Sequence, residues 1–496
     1  MKYIIGIDIG TTHTKAIIVG IDGKVIYEDK SSYPLYQPSP GFQEQNPEDI
    51  YAACIKVLSA AVSAIDDQYE IAGVSFSAAM HGFMAVDENN HPLTPFITWA
   101  DIRSQAYALS LKETVLGKQL HRETGTAIHP MSPLCKIAWL KNEQPDIYRK
   151  TAKFISIKEF IFYRLFNAYL IDYSIASATG MFQTMKLDWY RQALEWLGIE
   201  PDKLSKPVPT HHIEILSNES LKKQLGLTVS LPFIIGSSDG CLAVLGSGAT
   251  LPNEVALTIG TSGAVRKTVT KLVDDPEQRL FTYILQEGWY VSGGASNNGG
   301  NIPKWFSEQM LDRSFDSDDA FQWFMDQSSS VPPGAEGLLC LPYIYGERSP
   351  VWDAAAKGMF SGMTGAHHKA HFMRAILEGI CYSLKEILRA LEECDAPVDT
   401  IYASGGFIKS ALWLQILSDI TGKKILVSHE GDASALGAAF MGMAATGLIK
   451  DLSQVKQLTR TGEVITPGDD NRQIYERGYS IFRKLIQAER DLRRKV

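Results

Sequence analysis

The first eighty residues alternate between short apolar runs and polar turns, a pattern that predicts a β-meander followed by a helix and a further strand. An Asp-Gly turn separates the second and third apolar runs, as in a hairpin. Apolar residues then recur at helical spacing behind Pro47, a residue favoured in the first turn of a helix. The predicted elements are strands at 3–8, 15–20, 24–29 and 71–77 and a helix at 47–65.

The pattern of the first meander recurs half a chain later. Residues 7–18 read IDIGTTHTKAII and residues 257–268 read LTIGTSGAVRKT, so both place an Ile-Gly-Thr turn between two strands. An offset of 250 residues favours an internal duplication with two similar lobes facing each other. A chance match of two Gly-Thr turns is the alternative. Glycine and proline residues near the middle of the chain place the domain boundary between 1–245 and 246–496.

Composition narrows the class of protein. The 496 residues are 45% hydrophobic and 21% charged, as in globular proteins. Acidic residues outnumber basic ones by 56 to 48, which argues against a nucleic acid or an anionic membrane as partner, because both require a basic surface. Six scattered cysteines and the lack of a signal-like N-terminus favour a soluble, cytoplasmic protein. We expect a small-molecule partner, and the sequence is compatible with a homodimer.

The turn after the first strand carries the first candidate chemistry. Asp8 ends an apolar strand, where a carboxylate is costly to bury unless it is paired or faces a metal ion. The turn that follows, with Thr11 and Thr12, offers N–H groups and hydroxyls to phosphate oxygens, and Lys15 lies just beyond it. A carboxylate beside such a turn can hold Mg²⁺ through water. A hairpin turn without function is the alternative.

Seven short motifs, taken in order over nearly the full length, resemble the FGGY family of carbohydrate kinases. They are DIGTTHTK at 8–15, AMHG at 79–82, WADIRS at 99–104, SSDG at 237–240, TIGTSG at 258–263, ASGGFIKSALWLQILSDITG at 403–422 and ALGAAFMG at 435–442. The resemblance implies an α/β, two-lobed, duplicated fold of the actin/hexokinase (ribonuclease H-like) type with a central cleft. It also implies ATP and Mg²⁺ as cofactors and phosphoryl transfer to a sugar or polyol hydroxyl.

The resemblance assigns roles to individual residues. Asp239 in SSDG is the expected catalytic base and, with Asp8, the expected metal residue, whereas the residues alone allow a helix cap equally well. The expected ATP contacts are Thr11, Thr12, Lys15, Thr261, Gly300, Lys304, Gly405, Gly406 and Ser410. The expected substrate contacts are Met80, His81, Trp99, Arg103, His129 and Asp239. For Lys304, a solvated surface lysine is the alternative.

The acceptor is indicated by one local stretch. Ile-His-Pro-Met-Ser-Pro at 128–133 and the WADIRS motif resemble the gluconokinase branch of the family, which implies D-gluconate as substrate and 6-phosphogluconate as product. A gluconate carboxylate needs a cationic partner, and Arg103, His129 and Lys136 are the candidates. Arg103 could instead pair with Asp101. D-xylulose is the alternative substrate, and an actin- or Hsp70-like ATPase without a sugar acceptor is the alternative class.

Overall fold

The computed structural model describes residues 1–428, 432–460 and 462–493. The strands are β1 Tyr3–Ile9, β2 His13–Gly20, β3 Val25–Ser32, β4 Glu44–Gln45, β5 Ile71–Ala78, β6 Met84–Val86, β7 Phe96–Ile97, β8 Lys153–Ile155, β9 Leu170–Asp172, β10 Phe182–Gln183, β11 Asp188–Trp189, β12 Lys206–Val208, β13 Ile213–Ile215, β14 Pro232–Ser238, β15 Glu254–Ile259, β16 Gly263–Val269, β17 Phe281–Gln286, β18 Trp289–Ser296, β19 Leu339–Leu341, β20 Met359–Ser361, β21 Thr400–Ser404, β22 Lys424–Val427 and β23 Val464–Ile465. The α-helices are α1 Pro47–Ser63, α2 Gln105–Lys112, α3 Val115–Thr124, α4 Pro133–Glu143, α5 Pro145–Lys150, α6 Ile157–Phe166, α7 Tyr173–Ser177, α8 Arg191–Leu197, α9 Glu219–Leu225, α10 Asp239–Ser247, α11 Asn301–Met310, α12 Asp318–Ser329, α13 Lys369–Cys394, α14 Ala411–Thr421, α15 Ala433–Ala445, α16 Val455–Leu458 and α17 Arg472–Arg493.

Two large mixed sheets, one in each half of the chain, share a topology. Their strand orders are β13-β14-β5-β1-β2-β3 and β17-β18-β16-β15-β21-β22-β23. In each sheet the first strand of the meander, β1 or β15, pairs antiparallel with the next strand and parallel with a later one, β5 or β21. This shared order confirms the predicted duplicated α/β fold with two lobes.

Two equivalent helices join the lobes. α10 follows β14 in the first sheet, α15 follows β22 in the second, and the two helices pack against each other. α15 lies on β1 and β5 of the first sheet, while α10 also contacts β15 and β17 of the second. Each helix therefore reaches into the lobe that the other half of the chain builds, and the predicted boundary at 245/246 falls inside α10.

Glycine makes this contact between the two helices close. A Cβ atom on Gly246 would lie 1.9 Å from the carbonyl oxygen of Ala433, and one on Gly437 would lie 2.0 Å from that of Leu242. Neither distance can be tolerated, so the two helix backbones can come this close only because both positions are glycine.

Most of the apolar stretch at 433–449 forms α15, which ends at Ala445 and is largely buried. Within the described part of the chain, no helix is both long and apolar enough to cross a lipid bilayer.

Candidate active site

The carboxyl end of β1 brings Asp8 to the cleft. Its buried carboxylate accepts a hydrogen bond from Ser77 Oγ at 2.5 Å. Burial, together with the negative charges of Asp432 and Asp239, raises the pKa of Asp8 well above its usual range. Lys15 is paired with Asp8 across the β1–β2 ladder, and its Nζ lies 3.5 Å from Asp432 Oδ2. The negative charges of Asp432 and Asp239 therefore act on Asp8, and Lys15 lies beside Asp432, so a cation near Asp8 would be favoured.

Three side chains donate hydrogen bonds to the first Gly-Thr turn. Tyr33 donates its hydroxyl proton to the Gly10 carbonyl at 2.6 Å, and the side-chain amide of Gln45 donates to the Thr11 carbonyl at 2.6 Å. The indole N–H of Trp99 donates to Thr11 Oγ1 at 3.0 Å. Trp99, a predicted substrate residue, therefore contacts Thr11, a predicted ATP residue.

The second Gly-Thr turn is tied to the start of α11. The N–H groups of Gly300 and Asn301 donate to the carbonyls of Gly260 and Thr261 at 2.7 and 3.2 Å. Thr261 is exposed, as is Thr12 in the first turn. Both predicted phosphate turns therefore present an exposed threonine.

A cavity of about 440 Å³ lies beside the second turn. Four of the predicted ATP residues line it: Thr261, Gly300, Lys304 and Gly406. A Cβ atom on Gly406 would meet nothing within 4 Å, so the backbone there faces open space. The Lys304 ammonium is 2.5 Å from Asp316 at the same cavity. The cavity is a suitable site for the nucleoside part of ATP.

Two further predicted ATP residues shape this cavity from behind. Gly405 has a φ of 100°, and a Cβ atom there would lie 2.4 Å from the Ile259 carbonyl oxygen, so only glycine fits. Ser410 is buried and caps α14, its hydroxyl accepting from the Trp413 N–H at 3.2 Å. Ser410 therefore has a structural role behind the lining of the cavity.

Asp239 begins α10 after an irregular end of β14. Gly236 has a positive φ of 69°, and a Cβ atom there would lie 1.8 Å from a backbone oxygen of β5. The buried ammonium group of Lys158 donates to the carbonyls of Ile235 and Ser237 at 3.1 and 2.9 Å. Such an irregularity changes the backbone direction of the residues that follow it, and here it places Asp239 at the cleft.

The carboxylate of Asp239 is not the helix cap. Ser238 occupies the N-cap position, and Asp239 Oδ1 accepts from the N–H of Gly240 at 2.6 Å. Burial raises the pKa of Asp239, and the positive charge of Arg266 partly opposes this rise. A carboxylate with a raised pKa is a better proton acceptor than an exposed one, so the environment suits a general base.

Met80 and His81 lie next to Asp239. A Cβ atom on Gly240 would be 2.6 Å from Met80 Cε, so the methionine packs directly on the start of α10. His81 Nδ1 is 2.7 Å from the Ala178 carbonyl, and its Nε2 is 3.3 Å from the Tyr283 hydroxyl. Burial lowers the pKa of His81 to about 3. The ring is therefore neutral, with Nδ1–H donating and Nε2 accepting.

Lys136 joins three of the sequence motifs. Its buried ammonium group donates to the carbonyls of His81, Thr98 and Met131 at 2.7, 2.8 and 2.8 Å. The Met131 N–H in turn donates to His129 Nδ1 at 3.2 Å. The three carbonyls belong to AMHG, to the residue before WADIRS and to the IHPMSP stretch. Lys136, a candidate for binding a substrate carboxylate, is instead occupied in holding these segments together.

Arg103 is engaged in ion pairs with two carboxylates. Its Nε and Nη2 atoms donate to Asp101 at 2.9 and 2.8 Å, and Nη2 also donates to Glu44 at 2.6 Å. The guanidinium lies 3.9 Å from the ring centroid of Phe42, and the side chain is 4% exposed. The structure thus gives Arg103 the ion-pair role that the sequence leaves open as an alternative.

Two arginines that the sequence reasoning missed lie at the site. Arg266 in β16 packs against the start of α10, since a Cβ atom on Gly240 would be 3.2 Å from its Nε. Arg348 lies with its guanidinium carbon 4.7 Å from the ring centroid of Trp99. Comparison of the two repeats could have identified Arg266, because this charged residue occupies the position at which the first meander has the apolar Ala16.

Comparisons with known proteins agree with this geometry. Residues 3–246 match the N-terminal domain and residues 255–446 the C-terminal domain of the FGGY family of carbohydrate kinases. A gluconokinase of Bacillus subtilis (strain 168) is 42% identical over 97% of this chain and 95% of its own, and a xylulose kinase of the same organism is 29% identical over 99% and 98%.

Solved structures show the same relationship. A gluconate kinase from Lactobacillus acidophilus has a TM-score of 0.93 at 33% identity, covering 98% of both chains. A ligand-bound xylulose kinase from that organism has a TM-score of 0.93 at 32% identity, again covering 98% of both chains. The duplicated sheets, each with a Gly-Thr turn after its first meander strand, and these full-length matches show that the chain belongs to the FGGY family of carbohydrate kinases.

Proposed function

We propose that this kinase transfers the γ-phosphoryl group of ATP to a hydroxyl of D-gluconate, giving 6-phosphogluconate, in the cytoplasm. The observation that carries the proposal is Asp239, a partly buried carboxylate with a raised pKa, at the start of α10 beside Met80 and His81. The 42% identity to a gluconokinase over nearly the full chain supports gluconate as the acceptor. D-xylulose is the second candidate, because a xylulose kinase structure superposes equally well.

In the proposed reaction Asp239 orients the acceptor hydroxyl and accepts its proton as the new P–O bond forms. A positioned base of this kind contributes about 10²–10⁴-fold to the rate. A sugar hydroxyl takes the place of the Tyr283 hydroxyl at Nε2 of the neutral His81 ring, and Trp99 positions the Thr11 turn against the phosphates. Thr261 and the glycines of the nucleotide cavity hold the other end of ATP.

The donor set also fits Mg²⁺. Asp8 is a buried carboxylate whose pKa is raised by burial and by two further carboxylates, so a cation there would relieve an unfavourable charge. Mg²⁺ is commonly held by one or two carboxylates, water and substrate phosphates. We propose that Asp8 and Asp239 face the ion from the protein side. When bound, it neutralises charge on the transferring phosphoryl group.

An ADP-release assay tests the proposal. The enzyme is supplied with MgATP and with D-gluconate, D-xylulose or no acceptor, and the position of the phosphate in the product is read by NMR. We expect rapid ADP release with gluconate, a far lower kcat/KM with xylulose, and a small rate without acceptor. A preference for xylulose would show that D-xylulose, and not D-gluconate, is the substrate. Equal rates with and without acceptor would favour an ATPase of the actin or Hsp70 class.

A further inference from the structure

Two guanidinium groups lie in the substrate half of the cleft without a carboxylate partner. Among residues 1–428, 432–460 and 462–493, neither Arg266 nor Arg348 makes a salt bridge within 4.0 Å, although most buried arginines require one. The Nε atoms of both are buried and have no hydrogen-bond partner within the described chain. Arg348 is 8% exposed, and its Nη2 donates to the Ser296 carbonyl at 3.1 Å.

The neighbouring carboxylates do not neutralise both cations. Asp239 is one negative charge close to Arg266. Glu347 precedes Arg348, but its oxygens accept from Ser296 Oγ at 2.7 Å and from the N–H groups of Asn297 and Arg348 at 2.9 and 2.8 Å. Glu347 is therefore occupied in holding the backbone.

A third unused donor lies nearby. His129 Nδ1 accepts from the Met131 N–H, so in the neutral ring the proton is on Nε2. His129 Nε2 is buried without a partner among the described residues, and the side chain is 5% exposed. Burial and the positive charge of Arg348 lower the pKa of His129, which keeps the ring neutral.

We propose that Arg266 and Arg348 bind the carboxylate of a sugar acid, with the Nε2–H of His129 as an additional donor, and so select sugar acids over neutral sugars. This inference rests on the proposed function. A carboxylate offers acceptor positions to two guanidinium groups at once and supplies the negative charge that the cluster lacks. A neutral sugar would leave the cations uncompensated in a largely dry site, which is unfavourable. The acceptor thus binds with its carboxylate at this cluster and its phosphorylated hydroxyl at Asp239.

The test compares D-gluconate with D-glucitol, which has the same carbon chain and a CH₂OH group in place of the carboxylate. The variants are Arg266→Gln and Arg348→Gln, with Arg164→Gln as the control. Arg164 is a surface arginine that pairs with Glu48 at 2.8 Å. For each protein, kcat and KM are measured with both acceptors at saturating MgATP, and melting curves check folding.

We expect each cluster variant to lose about 10- to 150-fold in kcat/KM for gluconate, mostly through KM, as for one hydrogen bond between charged groups. The kcat/KM for glucitol should change far less than that for gluconate, because glucitol has no carboxylate for the guanidinium groups to bind. The control should match the wild type with both acceptors. Equal losses with both acceptors would overturn the inference, since they would indicate a role towards phosphate or folding. Unchanged gluconate kinetics would overturn it as well.

A second measurement does not depend on the variants folding. In calorimetry, wild-type enzyme without nucleotide should bind gluconate at least about 10-fold more tightly than glucitol, a difference of one charge-assisted contact. Equal affinities would refute the carboxylate site. A wild-type enzyme that phosphorylates xylulose and not gluconate would reject the proposed function itself, whereas a gluconate kinase with parallel losses in the variants would reject only the carboxylate site.

Discussion

At the scale of single residues, environment decides which charged side chains are available for chemistry. Asp8 and Asp239 are both partly or fully withdrawn from water, and burial raises the pKa of each. Arg103 and Lys136 are also buried, but Arg103 is paired with carboxylates and Lys136 donates its hydrogen bonds to backbone carbonyls. Arg266 has no such partner among the described residues, so it remains available to a ligand.

Asp239→Asn is expected to lower kcat by about 10²–10⁴-fold with gluconate and ATP at saturation, because it removes the proton acceptor and keeps the size of the side chain. Residue 239 is not the N-cap of α10, and an Asn side-chain oxygen can still accept from the Gly240 N–H, so the melting temperature should stay close to that of the wild type. The measurements are steady-state kinetics and a thermal melt. Retention of most of the kcat would show that Asp239 is not the base.

The buried, neutral ring of His81 should make the stability of the folded protein depend on pH. Burial lowers its pKa to about 3, so the unfolded chain takes up a proton at His81 below about pH 6.5 while the folded chain does not. Stability is therefore lost as the pH falls from about 6.5 towards about 3, by up to about 1.4 kcal/mol per pH unit. We expect His81→Asn to show a smaller fall in Tm than the wild type between about pH 6.5 and 4.5 in scanning calorimetry.

The matched control for this experiment is His91→Asn, since His91 is an exposed histidine. Its Tm should follow the wild-type pH profile. Identical profiles for the His81 variant and the wild type would contradict the assignment of a buried neutral ring.

At the scale of elements, much of the fold is predictable from local pattern. β1 at Tyr3–Ile9 and β5 at Ile71–Ala78 each end one residue beyond the predicted strands, and α1 at Pro47–Ser63 lies within two residues of the predicted helix. These elements are specified by period and by turn residues, which are local properties. The pairing of Arg103 with Glu44 and the surroundings of Arg266 could not be predicted in this way. Glu44 is 59 residues from Arg103, and Asp239 approaches Arg266, a residue of β16, from the start of α10.

A Gly→Ala substitution, which stabilises an exposed helix, should destabilise the protein where α10 and α15 are in contact. In an exposed helix Gly→Ala stabilises by about 1 kcal/mol. At Gly437 the new Cβ would lie 2.0 Å from the Leu242 carbonyl oxygen, so the helices must separate. We expect Gly437→Ala to destabilise the protein by about 1–3 kcal/mol or more, seen as a lower Tm. Gly365→Ala, with nothing within 4 Å of its Cβ, should leave Tm nearly unchanged, and equal Tm values for the two variants would contradict the close contact.

At the scale of the whole molecule, one apolar cluster belongs to both lobes. It contains Ile4 and Val19 of the first sheet, Phe281 of the second, Leu242 of α10 and Phe440 of α15. Neither lobe can therefore lose its structure without exposing apolar surface of the other.

This shared cluster predicts one cooperative unfolding transition. Differential scanning calorimetry of the ligand-free enzyme should give a single peak, and near- and far-ultraviolet circular dichroism should follow the same curve. Two resolved peaks, or spectroscopic curves with separate midpoints, would show that the lobes are independent folding units.

The glycine contact between α10 and α15 also bears on how the cleft opens. At Gly246 and Gly437 the two backbones face each other without intervening side chains. Interlocked side chains would resist turning, whereas two closely apposed backbones would not, so we expect the lobes to rotate about this contact. Such a rotation would move the lobes relative to each other while the centre stays packed. A substrate could thus enter and a product leave without any break in the hydrophobic core.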